Sequence, residues 1–445
     1  NLVSHLETNK ISVGEGLDSL NGRFTQILGA LTNIKRSAAK AAQLLPDYQL
    51  TGDALLKMLA IYVRVRCGIP VILMGECGCG KTYLISYLCL WLGSPLVTLD
   101  VHGGTTEADI LATFDEAVEH LQKSKTEVFV FLDEVNTCAH MGIITEAICS
   151  RSLNGRALPA GVKVLAAVNP HRRRSVQEES EGLVFNLGQE QEFDPMAALV
   201  YRVHPVPLTL EGFVFDFGAL SPTQENLYVH GMVQSCVADA DDDDLRAIVV
   251  AIGAAQKFCR SAVGDASAVS LRDVKRCLRL LNWFLALPPR TFAKPDEEQA
   301  SSGKAVEDGA PSDPTTKPRT HDGPKAAAKR TLAVATTLAL AHVYYYRHGK
   351  AEHRVSFWDT VGWTLKQELG RDLESSCFRK GAAEWTGSKW RQPDFSFSEI
   401  VQAAQDRWCS RIEVETGIAM NEALSENLFV MTVCVRTTTS LCAGH

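Results

Sequence analysis

Apolar positions along the chain follow two periods, and the switches between them outline the elements. Leu55, Leu56, Leu59, Ile61, Tyr62, Val63 and Val65 recur at helical spacing, and the helix they predict ends near Cys67-Gly68, before Pro70. The runs Pro70-Val71-Ile72-Leu73-Met74, Val128-Phe129-Val130-Phe131-Leu132 and Val162-Lys163-Val164-Leu165-Ala166-Ala167-Val168 are instead apolar at nearly every position, and residues 95–100 add a shorter strand. Such runs suit parallel strands covered on both faces. Helical patterns fall between them: one after Lys81, one over 107–122 and one over 141–153. Strands alternating with helices predict an α/β fold with a parallel sheet.

The same pattern divides the chain. Residues 1–50 read as a helical lead-in with a basic helix over 33–45, residues 51–210 as the α/β region, and residues 211–287 as a helical subdomain. In that subdomain Pro205, Pro207, Phe213, Phe215 and Phe217 lead into helices over 224–237, 243–260 and 271–285, with Ser270 as cap and Asp273 as the capping-box acid. Residues 288–328 carry Pro288, Pro289, Pro295, Pro311, Pro314, Pro318 and Pro324 among polar residues and read as a disordered linker. Residues 329–410 read as mainly helical, beginning with an apolar helix over 330–346. At 411–445 the pattern returns to its start: Glu422-Ala423-Leu424 through Cys434-Val435-Arg436 resembles Asp53-Ala54-Leu55 through Arg64-Val65-Arg66, as expected of a second module begun and cut short.

Composition narrows the class only a little. A chain of 445 residues, 46% hydrophobic and 22% charged, is ordinary for a soluble globular protein, and a net charge of -7 gives no reason to expect a specific nucleic-acid partner. Its 13 cysteines stand singly, without the C-x-x-C spacing of a zinc module, which suggests reduced thiols in the cytoplasm. The most apolar stretch, 331–346, is 16 residues long, short for a bilayer span and better read as a buried helix. No signal peptide follows Asn1, and the chain reads as a piece of a larger polypeptide.

The chemistry gathers at three places. Gly75-Glu76-Cys77-Gly78-Cys79-Gly80-Lys81-Thr82, between a strand and a helix, has the spacing of a phosphate loop: glycines turn backbone N–H groups inward and the helix adds its positive end. There Lys81 would reach the outer phosphates of ATP, and Thr82 would ligate Mg²⁺. Asp133-Glu134 closes the second apolar run, so Asp133 would complete the Mg²⁺ site and Glu134 would polarise the attacking water; alone, such a pair would be a solvated strand end. Asn169-Pro170 closes the third run, where Asn169 either reaches the terminal phosphate and its water or serves as a turn residue. Arg172-Arg173-Arg174, in a charged connection over 171–195, could touch a partner.

This order, with a later Arg202 and a helical region carrying Arg272, resembles an AAA+ ATPase. That resemblance implies an arginine finger at Arg202 acting on a neighbouring module and a lid sensor at Arg272. A closer resemblance, to the mysterin-like RING-finger AAA+ family, rests on Arg66-Cys67-Gly68-Ile69-Pro70, Asp133-Glu134-Val135-Asn136-Thr137, Ser152-Leu153-Asn154-Gly155, Ala166-Ala167-Val168-Asn169-Pro170, Leu199-Val200-Tyr201-Arg202-Val203-His204-Pro205, Phe215-Asp216-Phe217-Gly218-Ala219-Leu220-Ser221 and Val269-Ser270-Leu271-Arg272-Asp273-Val274. It covers about residues 50–287 and implies a dynein-like motor module of a giant ubiquitin ligase, with adjacent modules of the same polypeptide as partners, protein substrates, and association with membrane surfaces or lipid droplets. The zinc-binding ligase domains of that family have no counterpart in this sequence, and Cys77 stands where Thr or Ser is commoner. Three functions stay open: Mg²⁺-dependent ATP hydrolysis, a nucleotide-dependent scaffold with negligible turnover of its own, and a nucleic-acid remodelling ATPase.

Overall fold

Every strand of the main sheet runs parallel, because each returns through a helix rather than a hairpin. The structure, a computed structural model, describes residues 24–45, 48, 50–172, 199, 201–218, 220–237, 240–265, 267–287, 324–370, 377–378, 384–386, 389–391, 397–412 and 421–437. The chain divides into two compact units, Asn1–Tyr228 and Val229–His445.

In the first unit, α1 (Phe24–Thr32), α2 (Ala38–Leu44) and α3 (Gly52–Arg66) precede β1 (Val71–Met74). Then come α4 (Lys81–Leu92), β2 (Leu96–Asp100), α5 (Glu107–Ser124), β3 (Val128–Asp133) and α6 (Met141–Thr145). A two-stranded hairpin, β4 (Ser152–Leu153) and β5 (Arg156–Ala157), leads to β6 (Val162–Val168), α7 (Leu208–Glu211) and β7 (Val214–Asp216); α8 (Pro222–Cys236) carries the chain across the unit boundary. The sheet order is β2-β3-β6-β1-β7.

Strand period 2 sorts the core into two layers. Phe129, Phe131, Val71 and Leu73 face one side, with Met58 and Ile61 of α3 and Leu84, Ile85 and Leu88 of α4. Val128, Val130, Leu132 and Ile72 face the other, with Ile110 and Phe114 of α5. The register sets Met74 against Val168 and Leu132 against Ala166, so β1, β3 and β6 finish level at one sheet edge.

The structure departs from the sequence expectations at four local points. The basic helix expected over 33–45 breaks where Asn33 takes φ 59°, and it restarts as α2 on the Ser37 cap. The helix expected over 141–153 ends in a π turn at Glu146–Ser150, and Asn154-Gly155, at φ 49° and 75°, turns the following hairpin. Phe213 to Phe217 does not lead straight into helices: β7 adds an edge strand beside β1, with Leu73 opposite Phe215. In the second unit β8 (Glu384–Thr386) and β9 (Lys389–Arg391) form a hairpin, Trp385 opposite Trp390, inside the stretch expected to be helical.

The second unit is otherwise helical: α9 (Asp242–Val263), α10 (Leu271–Ala286), α11 (Pro324–Val343), α12 (Ala351–Leu369), α13 (Phe397–Cys409) and α14 (Glu422–Thr437). Helix α9 packs on α12, α10 on α11, and α13 on α11 and α14. The helix α11 begins at Pro324, inside the stretch read as linker; the rest of that linker, 288–323, lies outside the described residues, as do 1–23 of the lead-in. Among the described residues no helix is long and apolar enough to cross a membrane.

Candidate nucleotide site

The loop after β1 is shaped by contacts that leave little freedom. A Cβ on Gly75 would stand 3.1 Å from Phe217 Cβ and 3.2 Å from Cys79 Sγ, so any larger residue would require these neighbours to give way. Gly80 takes φ 95°, a left-handed conformation, as the chain enters α4. The Gly75 N–H donates to Val168 O at 3.3 Å, fastening the loop to the end of β6.

Lys81 opens α4 and is only 6% exposed. Its Nζ donates to Gly75 O at 2.6 Å and Glu76 O at 3.1 Å. Both acceptors are neutral carbonyls, so a buried ammonium is held with no carboxylate paired to it among the described residues. An anion is what such a cation lacks.

Thr82 follows, and its hydroxyl donates to Asp133 Oδ2 at 2.6 Å. Asp133 is 6% exposed at the end of β3, and its Oδ1 accepts from the Glu134 N–H at 3.0 Å. Among the described residues no group of three His, Cys, Asp or Glu is arranged to hold a metal. Thr82 and Asp133 are a hard oxygen pair, suited to Mg²⁺ only when phosphate oxygens and water complete its shell.

Glu134 takes φ 54°, ψ 36°, a costly conformation for a residue with a Cβ. The turn is held by Thr137, whose N–H and Oγ1 both donate to Glu134 O, at 3.0 and 2.8 Å. Cys77 Sγ lies 3.9 Å from Glu134 Oε1, so the Cys77 side chain faces the carboxylate from the loop.

Asn169 stands at the end of β6, 4% exposed, and its Oδ1 has no partner among the described residues. Its backbone is clamped by Asn136, which is fully buried: the Asn169 N–H donates to Asn136 Oδ1 at 3.1 Å and Asn136 Nδ2 donates to Asn169 O at 2.9 Å. The His204 N–H in turn donates to Asn136 O at 2.7 Å. The orphaned Asn169 acceptor fits a water or a ligand hydroxyl.

The structure thus gathers Lys81, Thr82, Asp133, Glu134 and Asn169 at one sheet edge. Arg202 follows on the connection to α7 with an exposed side chain, while Arg272 belongs to the second unit, exposed in the first turn of α10. Sequence reasoning missed Asn136, Thr137 and Tyr201, and it used Glu76 for its backbone alone. The Tyr201 hydroxyl donates to Glu76 Oε2 at 2.6 Å, and Arg172, the first of the three arginines, stands 3.6 Å from Glu76 Oε1. Arg173 and Arg174 lie outside the described residues.

A parallel sheet ordered β2-β3-β6-β1-β7, a glycine loop between β1 and α4 and a helical extension define the class, an AAA+ module with a P-loop core. Residues 48–172 match the family described as the RNF213 AAA domain. The chain is 32% identical over 419 residues to the E3 ubiquitin-protein ligase RNF213 of Mus musculus and to that of Homo sapiens. It is 31% identical over 412 residues to the E3 ubiquitin-protein ligase rnf213-beta of Danio rerio. Each alignment takes in 88% of this chain and 7% of the relative, so the chain spans about one fourteenth of the curated relatives it matches. A shorter match, 35% over 69 residues, is to Protein CbbQ of Hydrogenophilus thermoluteolus, covering 16% of this chain and 25% of that protein. The chain belongs to the mysterin-like RNF213 family of AAA+ proteins.

Proposed function

We propose that the first unit binds Mg²⁺-ATP and hydrolyses it to ADP and phosphate. The observation that carries this is Lys81, a buried ammonium with only carbonyl partners at the N-terminus of a helix. Its charge, the helix end and the N–H groups of Gly78, Gly80, Lys81 and Thr82 favour the same ligand, a phosphate. Thr82 and Asp133 would hold the Mg²⁺, which supplies charge neutralisation across the phosphates when bound. Glu134 would take the proton of the attacking water, and the orphaned Asn169 Oδ1 would orient that water. Arg202 would act on the nucleotide of a neighbouring module, and Arg272 would approach the terminal phosphate from the lid.

A second reading is favoured by the exposed Arg202: with its partner site on another module, this chain alone would bind nucleotide and turn it over negligibly. Adjacent modules of the same polypeptide are the partners we propose. Helix α14 supports this, since Met431 and Val435 are 49% and 75% exposed at the four-residue spacing at which α3 buries Ile61 and Val65. Protein substrates, a cytoplasmic location and ubiquitin transfer by the longer polypeptide are proposals on the family's side.

The test is to compare ADP affinity and steady-state turnover of the chain with its Lys81→Ala and Glu134→Gln variants. Lys81→Ala is expected to weaken binding roughly a hundredfold or more, and Glu134→Gln to keep binding while turnover falls about 100-fold. Turnover unchanged in Glu134→Gln removes the hydrolytic reading, and binding unchanged in Lys81→Ala removes the nucleotide site.

A further inference from the structure

Three side chains converge on the first half of the loop, where none of the roles above is placed. The Tyr201 hydroxyl donates to Glu76 Oε2 at 2.6 Å, and its own oxygen accepts from the Cys77 N–H at 3.5 Å. Arg172 Nη1 lies 3.6 Å from the other carboxylate oxygen, Glu76 Oε1. Arg172 follows closely on Asn169, and Tyr201 immediately precedes Arg202. One carboxylate therefore joins the loop, the chain leaving β6 and the segment that carries Arg202.

A carboxylate beside a phosphate site is an electrostatic liability, because like charges repel and raise the cost of binding. Here a guanidinium and a hydroxyl share its charge. Tyrosine suits the position: its oxygen donates and accepts at once, and a rigid ring carries it on only two torsions. The contacts occupy residues 76 and 77 and the Cys79 N–H donates to Glu76 O, so the N–H groups of Gly78, Gly80, Lys81 and Thr82 remain for a ligand. Tyr201 is half-buried and Arg202 beside it is exposed, so the two neighbours divide their roles, one fastened to the loop and one directed outward.

We infer that Tyr201 is a positioning residue: through Glu76 and the Cys77 N–H it holds the loop in binding shape, and through the chain it couples loop occupancy to the Arg202 segment. This rests on the nucleotide reading of the same site. A ligand that tightens residues 75–82 then also steadies residues 199–206, although it touches only the loop.

The experiment uses the full chain and its Tyr201→Phe, Glu76→Ala and doubly substituted variants, titrated with Mg²⁺-ADP by calorimetry and followed by hydrogen exchange. Tyr201→Phe removes one oxygen, and Glu76→Ala provides a second route should it fold poorly. Each single change is expected to weaken ADP binding roughly tenfold, the scale of a charge-assisted hydrogen bond, and the double change no more than either. In the wild type ADP slows exchange in peptides covering both 76–82 and 199–206; in Tyr201→Phe it slows only the first. A purely structural tyrosine would give additive losses and leave the two peptides responding together, and either result overturns the inference. Wild-type chain that fails to bind Mg²⁺-ADP overturns the nucleotide reading itself, whereas wild-type binding with an unaffected Tyr201→Phe overturns the coupling alone.

Discussion

The sheet edge of the first unit and the aromatic and thiol-lined interior of the second surround their ionisable side chains differently. At the sheet edge Lys81 and Asp133, each 6% exposed, are held by hydrogen bonds, Lys81 to two carbonyls and Asp133 from the Thr82 hydroxyl and the Glu134 N–H. In the second unit burial drives some thiols and an imidazole toward neutrality: the Cys259 thiol is pushed up to about 12, the Cys277 thiol also rises, and His342 falls to about 4. His342 lies among the rings of Phe284, Tyr346 and Phe429, and among the described residues only its Nδ1 has a hydrogen-bond partner, Leu338 O at 2.8 Å. The difference separates a region whose buried ionisable groups are tied by hydrogen bonds from one where thiols and an imidazole serve as packing.

The largest effect that would break this contrast is expected at Asn136, where polar groups of the first unit depend on one buried side chain. Asn136→Ala leaves both the N–H and the C=O of Asn169 without their partners in a sealed place. At 1–3 kcal/mol for each stranded group, the loss is about 4 kcal/mol. Hydrogen exchange in peptides from β3 and β6 should quicken accordingly, with those from α10 and α11 unchanged. A loss below about 1 kcal/mol would mean that water replaces the amide and that the edge is less closed than its burial indicates.

Acid probes the other side of the comparison. His342 has a folded pKa of about 4 against an ordinary 6.5, because burial disfavours its cation. His348, beside His353, Arg347 and Arg354, is also lowered to about 4, first by burial and then by those cations. Above pH 6.5 both states are neutral and neither residue alters stability. As pH falls from 6.5 to 4 the unfolded chain takes up protons that the folded unit refuses, so stability drops across that window and levels off below it. For His342, whose Nε2 is buried, the loss reaches roughly 3 kcal/mol. Six of the seven tryptophans, all but Trp91, belong to the second unit, so tryptophan fluorescence in urea at pH 7 and pH 4.5 reads it directly. His342→Gln should flatten the slope; an unaltered slope would assign the acid sensitivity elsewhere.

The two regions also differed in how far the chain announced them. The phosphate-type loop was legible because its glycines, Lys81 and Thr82 are contiguous, and Asp133-Glu134 because five apolar residues precede it. Ser270 and Asp273 were legible for the same reason: a capping box is local, and it forms at the start of α10. Strand β7 was not, since its three residues earn strand geometry only by lying beside β1, far away in sequence. Asn136 and Tyr201 were silent too, because the partners that give them meaning, Asn169 and Glu76, meet them only in the folded sheet. Local chemistry leaves a mark in sequence, and tertiary polar pairing leaves little.

The smallest effect sharpens the comparison, because one motif occurs in both units. Thr106 and Asp109 form a capping box on α5, and Ser270 and Asp273 form another on α10. Asp109 is exposed and, among the described residues, its carboxylate is bonded only to its own cap, whereas Asp273, 4% exposed, also accepts from Arg276 at 3.3 Å and Arg347 at 3.0 Å. The hydroxyl capping each helix does equal work in the two settings, so Thr106→Ala and Ser270→Ala should each lose about 1 kcal/mol in denaturant titrations. The carboxylates should not match: Asp273→Asn keeps an acceptor but weakens two guanidinium contacts, and Asp109→Asn weakens none. Equal losses for the two carboxylate variants would show that the arginines on Asp273 are surface ornaments of that helix end. A larger loss at Asp273 would show that the cap carrying Arg272 is braced from the short turn Tyr345–Arg347 that follows α11, so that any movement of this helix end engages Arg347 as well.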